Sequence, residues 1–318
     1  MASIFTKSSR KNRNSFAGAA LHGDSLRYLE LSGALGSLSV VRQEMIPLGR
    51  GIIVKDSLAD TGRLLPALEE LKSALGGFHC PVALGIPARD VILRLLDYPR
   101  MDIGDVKEAL QLEFDRFFPY PYAEAAADIS EVEVPNREAA DKIFVLAATC
   151  RRRAVDDLMR MTARAGMTLS AVEPVNVAFF RAAAGPRGKP GGYFVVFVEP
   201  ETTHIILGYR DNGILFRSAS VDLTTQELRE SDDGLMPILR DVQNTVVFAG
   251  NQYKELALDS LVLGGLLGRD SRLPLLLESG AALTVSVLDV RELWGIYSPA
   301  GGIGGFEAAF GLAVRNLT

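Results

Sequence analysis

GPRGKPGG, residues 185–192, decides how the chain divides. Four glycines, two prolines and the cations Arg187 and Lys189 offer little to a hydrophobic core and suit an exposed hinge. After it, YFVVFV (193–198) reads as a strand, and THIILGYR-DNG-ILFRSASV (203–221) as a hairpin whose Asp211-Asn212-Gly213 turn is expected to supply positive φ. A helix from about Gly234 to Tyr253 follows, with Leu235, Leu239, Val242, Val246, Ala249 and Tyr253 on one side. SLVLGGLLG (260–268) reads as a buried strand entering a glycine turn. A short helix near Leu273, a strand LTVSVLD (283–289) and a helix FEAAFGLAVRN (306–316) complete this half.

The half before the hinge opens with the same grammar. FAGAAL (16–21), LRYLELSG (26–33) and LSVVRQEMIPL (38–48) form a meander punctuated by Gly, Asp and Ser. Leu64, Leu68, Leu71 and Leu75 predict a helix that Gly76-Gly77 stops, and PVALGIP (81–87) and VILRLLDYP (91–99) are proline-ended strands. Asp102 can cap a helix carrying the apolar stripe Ile103, Val106, Leu110, Phe114 and Phe117, which Pro119 and Pro121 end. Strands near 129–134 and at 142–149, a helix from Arg151 to a left-handed cap at Gly166, a strand TLSAVEP and a helix VNVAFFRAA lead back to the hinge. Two similar α/β halves predict a duplicated two-domain architecture, but a fold class carries no chemistry.

Composition removes several classes of function. The 318 residues are 48% hydrophobic and 23% charged, far from the regime of disordered chains. A net charge of −5 argues against nucleic acid as a partner. The longest uncharged stretch, around 74–88, contains prolines and falls short of the about 20 apolar residues a spanning helix needs. The polar start lacks the apolar core of a secretory signal, so a cytosolic protein is expected. Lys7, Arg10, Lys11 and Arg13 mark residues 1–15 as a basic flexible tail, whose attraction to anionic lipid is worth at most about 1 kcal/mol per cation. Cys80 and Cys150 read as small buried hydrophobes. His22, His79 and His204 are scattered with no metal-ligand spacing, so no metal site is expected.

The order of elements and several strings resemble the PilM family, actin-like cytosolic components of type IV pilus assembly platforms related to the division protein FtsA. The similarity covers about residues 16–316 and is most specific at DYPRMDIGDVKEALQLEFDRFFPYPYAEAAADISEVEV (97–134). There Pro99, Glu113, Phe117, Pro119 and Asp128 meet the family pattern of a proline-ended strand, a helix with a central Glu, an aromatic-Pro end and a following Asp. FVLAATCRRRAVDDLMRMTARAGM (144–167), VEPVNVAFFRA (172–182), LVLGG (261–265) and GLAVR (311–315) agree as well. The resemblance implies an actin-like, ribonuclease-H-type α/β fold: domain one at 16–190 with an inserted 1C-type subdomain at about 80–170, and domain two at 191–318 with a shortened 2B region between Val221 and Gly234.

Actin-like ATPases hold MgATP between the two domains, each contributing a phosphate loop with a D-I-G opening. Amides cradle phosphate there and the carboxylate serves the metal's hydration shell. In the first loop the Asp position falls on Ala20 and the Gly on His22, and Asp24 adds a negative charge. In the second the Asp position falls on Phe197 and the Gly on Glu199, Pro200 removes an amide donor, and Glu201 adds charge. A one-residue slip restores no Asp-x-Gly in either loop. Gly264-Gly265 matches the adenosine motif, and a tight turn explains it equally well. No Walker loop, nucleophile elbow or complete G-x-G-x-x-G occurs, since Glu307 stands where AGGIGGF (300–306) needs its third glycine.

The expectation is a non-catalytic scaffold without ATP or Mg²⁺ as cofactor. Two alternatives remain: an active ATPase or kinase with unrecognised phosphate loops, and an MshI- or GspL-like component of a related pilus or type II secretion system. The resemblance further implies a partner, the short cytosolic tail of a bitopic inner-membrane protein, PilN, entering a groove between the 1A and 1C subdomains. Other platform proteins are further expected partners, and PilN would bring the protein to the membrane. Glu113, Phe117, Phe118 and Pro119 either line that groove or close and pack the helix end.

Overall fold

The computed structural model describes residues 15–135, 141–268, 272–297 and 303–317. The expected tail, apart from Ser15, and the start of the 300–306 loop lie outside the described residues. The first sheet grows from a meander of β1 (Ser15–His22), β2 (Ser25–Ser32) and β3 (Ser39–Pro47). Helix α1 (Leu64–Leu75) buries its leucine stripe, ends in the left-handed Gly76, and returns the chain to β4 (Val82–Ile86), parallel to β1. Three further strands leave this sheet: β5 (Ile92–Pro99), then, after α2 (Ile103–Leu112) and α3 (Phe114–Phe117), β6 (Ala125–Glu131) and β7 (Lys142–Arg151). They form an antiparallel sheet in the order β5-β7-β6. Helix α4 (Arg152–Ala165) rejoins the first sheet through β8 (Leu169–Pro174), giving the order β3-β2-β1-β4-β8. β4, at the start of the expected 80–170 insertion, and β8, at its end, belong to the first sheet, and the separate sheet runs from β5 to β7.

Helix α5 (Val175–Ala184) crosses to the second sheet, where β9 (Gly192–Val198), β10 (Thr202–Tyr209) and β11 (Asn212–Ser220) repeat the meander. The five-residue α6 (Gln226–Glu230) and the long α7 (Asp232–Gln252) lead to β12 (Ser260–Gly264). Helix α8 (Arg272–Ala281), β13 (Thr284–Val287), α9 (Val290–Trp294) and α10 (Glu307–Ala313) follow. The order β11-β10-β9-β12-β13 matches the first sheet strand for strand. The hairpin turn departs from expectation. β11 already begins at Asn212, so Arg210 and Asp211 make the turn, with the positive φ at Arg210 (56°).

The inserted helix is also broken. Glu113 leaves helical geometry (φ −104°, ψ 12°), so α2 and α3 are separate. The buried stripe is Val106, Leu110, Phe114 and Phe118, whereas Ile103, at the helix start, is exposed and Phe117 half-buried.

Helices α5 and α10 lie between the sheets. Their side chains join Ala20, Leu29 and Ala83 of the first sheet to Val195, Phe197 and Ile206 of the second in one continuous core. Gly311 permits the closest approach: a Cβ there would lie 1.9 Å from the Ala178 carbonyl oxygen. Beside it, buried Glu173 accepts from Arg181 at 2.5 and 3.2 Å and from Arg315 at 3.3 Å. A buried carboxylate is stable only with such pairing.

Candidate functional site

Ala20 on β1 and Phe197 on β9, the positions where the sequence expects the phosphate-loop acids, are fully buried in the core between the sheets. Phe197 stacks on Phe179 of α5 with ring centroids 4.2 Å apart. Gly264 is shaped to this ring, because a Cβ there would come 2.7 Å from it. Gly265 has φ +92° and carries the chain over the Val198 backbone, so Leu266 and Leu267 can donate to Glu199 and to the Val198 carbonyl, both at 3.0 Å. The glycine pair thus works here as a turn packed on an aromatic ring.

His22 and Glu199, the positions where the sequence expects the loop glycines, meet across the domains. Glu199 Oε2 lies 3.2 Å from His22 Nε2 and 3.6 Å from the Arg27 guanidinium. Arg27 itself donates to Ser25 Oγ at 2.9 Å and to the Gly305 carbonyl at 2.6 Å. Burial alone would raise the Glu199 pKa, but His22, Arg27 and the Leu266 amide outweigh it and hold the carboxyl down at about 2. The negative charges expected to crowd the cleft are distributed differently. Glu199 is buried and compensated, whereas Asp24 and Glu201 are exposed.

Two groups that the linear pattern did not connect complete the cluster. His204 on β10 lies with its ring centroid 5.8 Å from that of His22, and its Nδ1 is 2.9 Å from Ser218 Oγ on β11. Burial, then the nearness of His22, pushes its pKa down to about 3. Asp56 reaches in from the loop after β3, where Lys55 and Asp56 both have positive φ (52° and 59°), and burial raises its carboxyl to about 6. The histidines that look scattered in sequence are therefore brought together, except His79, which is exposed. No spacing rule could pair them, because β1 and β10 belong to different sheets.

The positions expected to face a partner fall on the inserted sheet's helical cover. Glu113 pairs with Arg116 at 2.7 Å, Phe117 is half-buried beneath the Arg116 guanidinium, and Pro119 is exposed. Phe118 packs on Phe114 with centroids 4.6 Å apart and serves the core. Sequence reasoning missed Leu112, which is 88% exposed beside them. Where this subdomain meets α4, a groove of about 570 Å³ is lined by Ala123, Glu124, Arg151–Arg153, Asp156, Asp157 and Arg160. Arg151 spans it to Glu124 at 2.6 Å, and Arg152 donates to the Ala125 carbonyl at 2.5 Å.

Two five-stranded sheets of identical order, joined by paired central helices and carrying a small sheet inserted into the first, define an actin-like protein. The sequence model of the family described as type IV pilus assembly protein PilM matches residues 18–185, more than half of the chain, and the chain belongs to that family. Among solved structures it is similar to the PilM-PilN type IV pilus biogenesis complex, with a TM-score of 0.78 at 18% identity over 95% of this chain and 98% of that one. It is also similar to the ethanolamine utilization protein EutJ from Carboxydothermus hydrogenoformans, with a TM-score of 0.51 at 11% identity over 98% and 92%. The cytoplasmic domain of EpsL, from the type II secretion system of Vibrio cholerae, aligns at a TM-score of 0.44 and 12% identity over 79% and 82%. No described helix is long and apolar enough to cross a membrane.

Proposed function

We propose that this chain is a non-hydrolysing adaptor of a type IV pilus assembly platform, working on the cytoplasmic face of the inner membrane. In this reading it binds the N-terminal cytosolic tail of a PilN-like membrane protein and reaches the membrane through it. The observation that supports the absence of hydrolysis is the packing at the positions matched to the phosphate loops. Phe197 stacks on Phe179, and Glu199 pairs with His22 and Arg27, which in this reading leaves no metal-side carboxylate and no free amides for phosphate. The partner reading draws support from family membership and from the solved relative, which is a PilM-PilN complex.

The groove between the inserted subdomain and α4, lined by Ala123, Glu124 and Arg151–Arg153, is the proposed seat of the tail, and Glu113, Phe117 and Pro119 do not line it. A flexible tail entering a preformed groove loses conformational entropy on one side only. Calorimetry with the tail peptide of a PilN-like protein encoded nearby is expected to show binding that Arg152→Glu weakens at least tenfold. No heat at high micromolar concentration, with both species folded, would remove the adaptor reading. A parallel thermal titration with MgATP is expected to leave the melting temperature unchanged, whereas a ligand at 100 times its dissociation constant adds about 2.7 kcal/mol.

A further inference from the structure

The cluster between the sheets contains more polar atoms than the fold satisfies. His22, Asp56 and His204 are 2%, 4% and 0% exposed, and each offers a ligand atom within 4.8 Å of those of the other two. Among the described residues, Nδ1 of His22, Oδ2 of Asp56 and Nε2 of His204 have no hydrogen-bond partner, while Nε2 of His22 faces Glu199 at 3.2 Å. Leaving one such group buried and unpaired is unfavourable, and leaving three at one point calls for a common occupant. The surroundings are arranged as ligand supports. Ser218 holds Nδ1 of His204 and leaves Nε2 directed at the cluster, while Glu199 lies beside Nε2 of His22. Histidine ligands are commonly oriented in this way by a hydroxyl or carboxylate on the other ring nitrogen. Asp56 is delivered by two consecutive non-glycine residues in left-handed conformation, which a surface loop adopts only when something fixes it.

We propose that His22, Asp56 and His204 form a site for one divalent transition-metal ion of the zinc class. Two imidazoles and one carboxylate suit zinc or a similar first-row ion, whereas magnesium and calcium favour all-oxygen shells. The site is therefore chemically distinct from a nucleotide's Mg²⁺ position, and it does not depend on the adaptor reading. Bonds of about 2.0–2.2 Å require the three ligand atoms to draw together from their present spacing, with a fourth position open to water. Because His22 and Asp56 belong to the first domain and His204 to the second, the ion would staple the domains together where actin-like relatives use a nucleotide.

The test is cobalt(II) and zinc(II) titration of the full chain after chelator treatment, performed on the folded protein and again during refolding from urea to admit the ion to a buried site. Expected are one equivalent of metal, the visible bands of low-coordinate cobalt, a higher melting temperature, and no response to magnesium. Asp56→Asn and His204→Gln each lower affinity at least tenfold. Ser218→Ala, which leaves every ligand in place, lowers it about 10- to 100-fold. His79→Gln changes nothing. If the ligand variants do not fold, Ser218→Ala carries the comparison. Failure of the wild-type chain to take up a stoichiometric ion in either protocol overturns the proposal, as does uptake unaffected by the substitutions at Asp56, His204 and Ser218 that fold.

Discussion

At the scale of single residues, the cleft's chemistry is decided by one aromatic ring. Phe197 stands where the sequence expects a loop carboxylate, and two neighbours are fitted to its ring: Phe179 stacked on one face and Gly264 without a Cβ. The sequence led to the expectation of a missing Asp, since a one-residue slip restores no Asp-x-Gly, but the packing around Phe197 was not legible. That Glu199, just after β9, would be compensated by Arg27 on β2 depends on how the two sheets meet, which no local rule gives. The fit makes a measurable claim. Gly264→Ala puts a methyl 2.7 Å from the Phe197 ring and is expected to destabilise the chain by about 1–3 kcal/mol, the usual cost of overpacking. In the background of Phe197→Leu the same change should cost less, because the clashing ring is gone. Urea unfolding of the four members of this cycle measures the coupling, and strict additivity would show that the ring and the glycine do not share a space.

At the scale of elements, the regular periodicities were legible and the interruptions were not. The leucine spacing of α1, the meanders of both halves and the left-handed Gly166 all follow from local rules that the tertiary structure leaves intact. Nothing in LQLEFDRFF marks Glu113 as a break, since Glu is a good helix former. The break arises where Phe114 turns inward to meet Phe118 and Tyr122, at 4.6 and 5.3 Å, beneath the inserted sheet. The same limit applies to the Arg210–Asp211 turn, where a bulge between Leu207 and Gly208 shifts the register away from the Asp-Asn-Gly signal. The buried stripe predicts a contrast between adjacent aromatics. Phe114→Ala removes a ring that is 1% exposed and is expected to cost about 3–5 kcal/mol, whereas Phe117→Ala removes a half-buried one and should cost less than half as much. Equal shifts in the denaturation midpoint would mean that Phe117 is buried as deeply as Phe114.

At the scale of the whole molecule, the question is whether two copies of one topology behave as two folding units. Each sheet has its own outer layer of helices, and the 185–192 connection alone would permit independence. The layer between the sheets argues otherwise. Helices α5 and α10 contribute Phe179, Phe180, Ala309, Phe310 and Leu312 to a core that also contains strands of both sheets. Neither half can expose that layer without leaving those apolar surfaces and the Glu173–Arg181–Arg315 cluster partly unpaired. The single tryptophan, Trp294, reports on this layer directly: its indole donates to the Ala182 carbonyl at 2.9 Å and its ring packs edge-on against Phe310 at 5.1 Å. Urea unfolding followed by Trp294 fluorescence and by far-ultraviolet circular dichroism is therefore expected to give coincident curves, the signature of one cooperative transition. Gly311→Ala, which drives a methyl into the Ala178 carbonyl, should move both curves together to lower urea. A dichroism curve that separates into two steps, with the tryptophan following only one, would mean that the central helices belong to a single domain and that the second half folds without them.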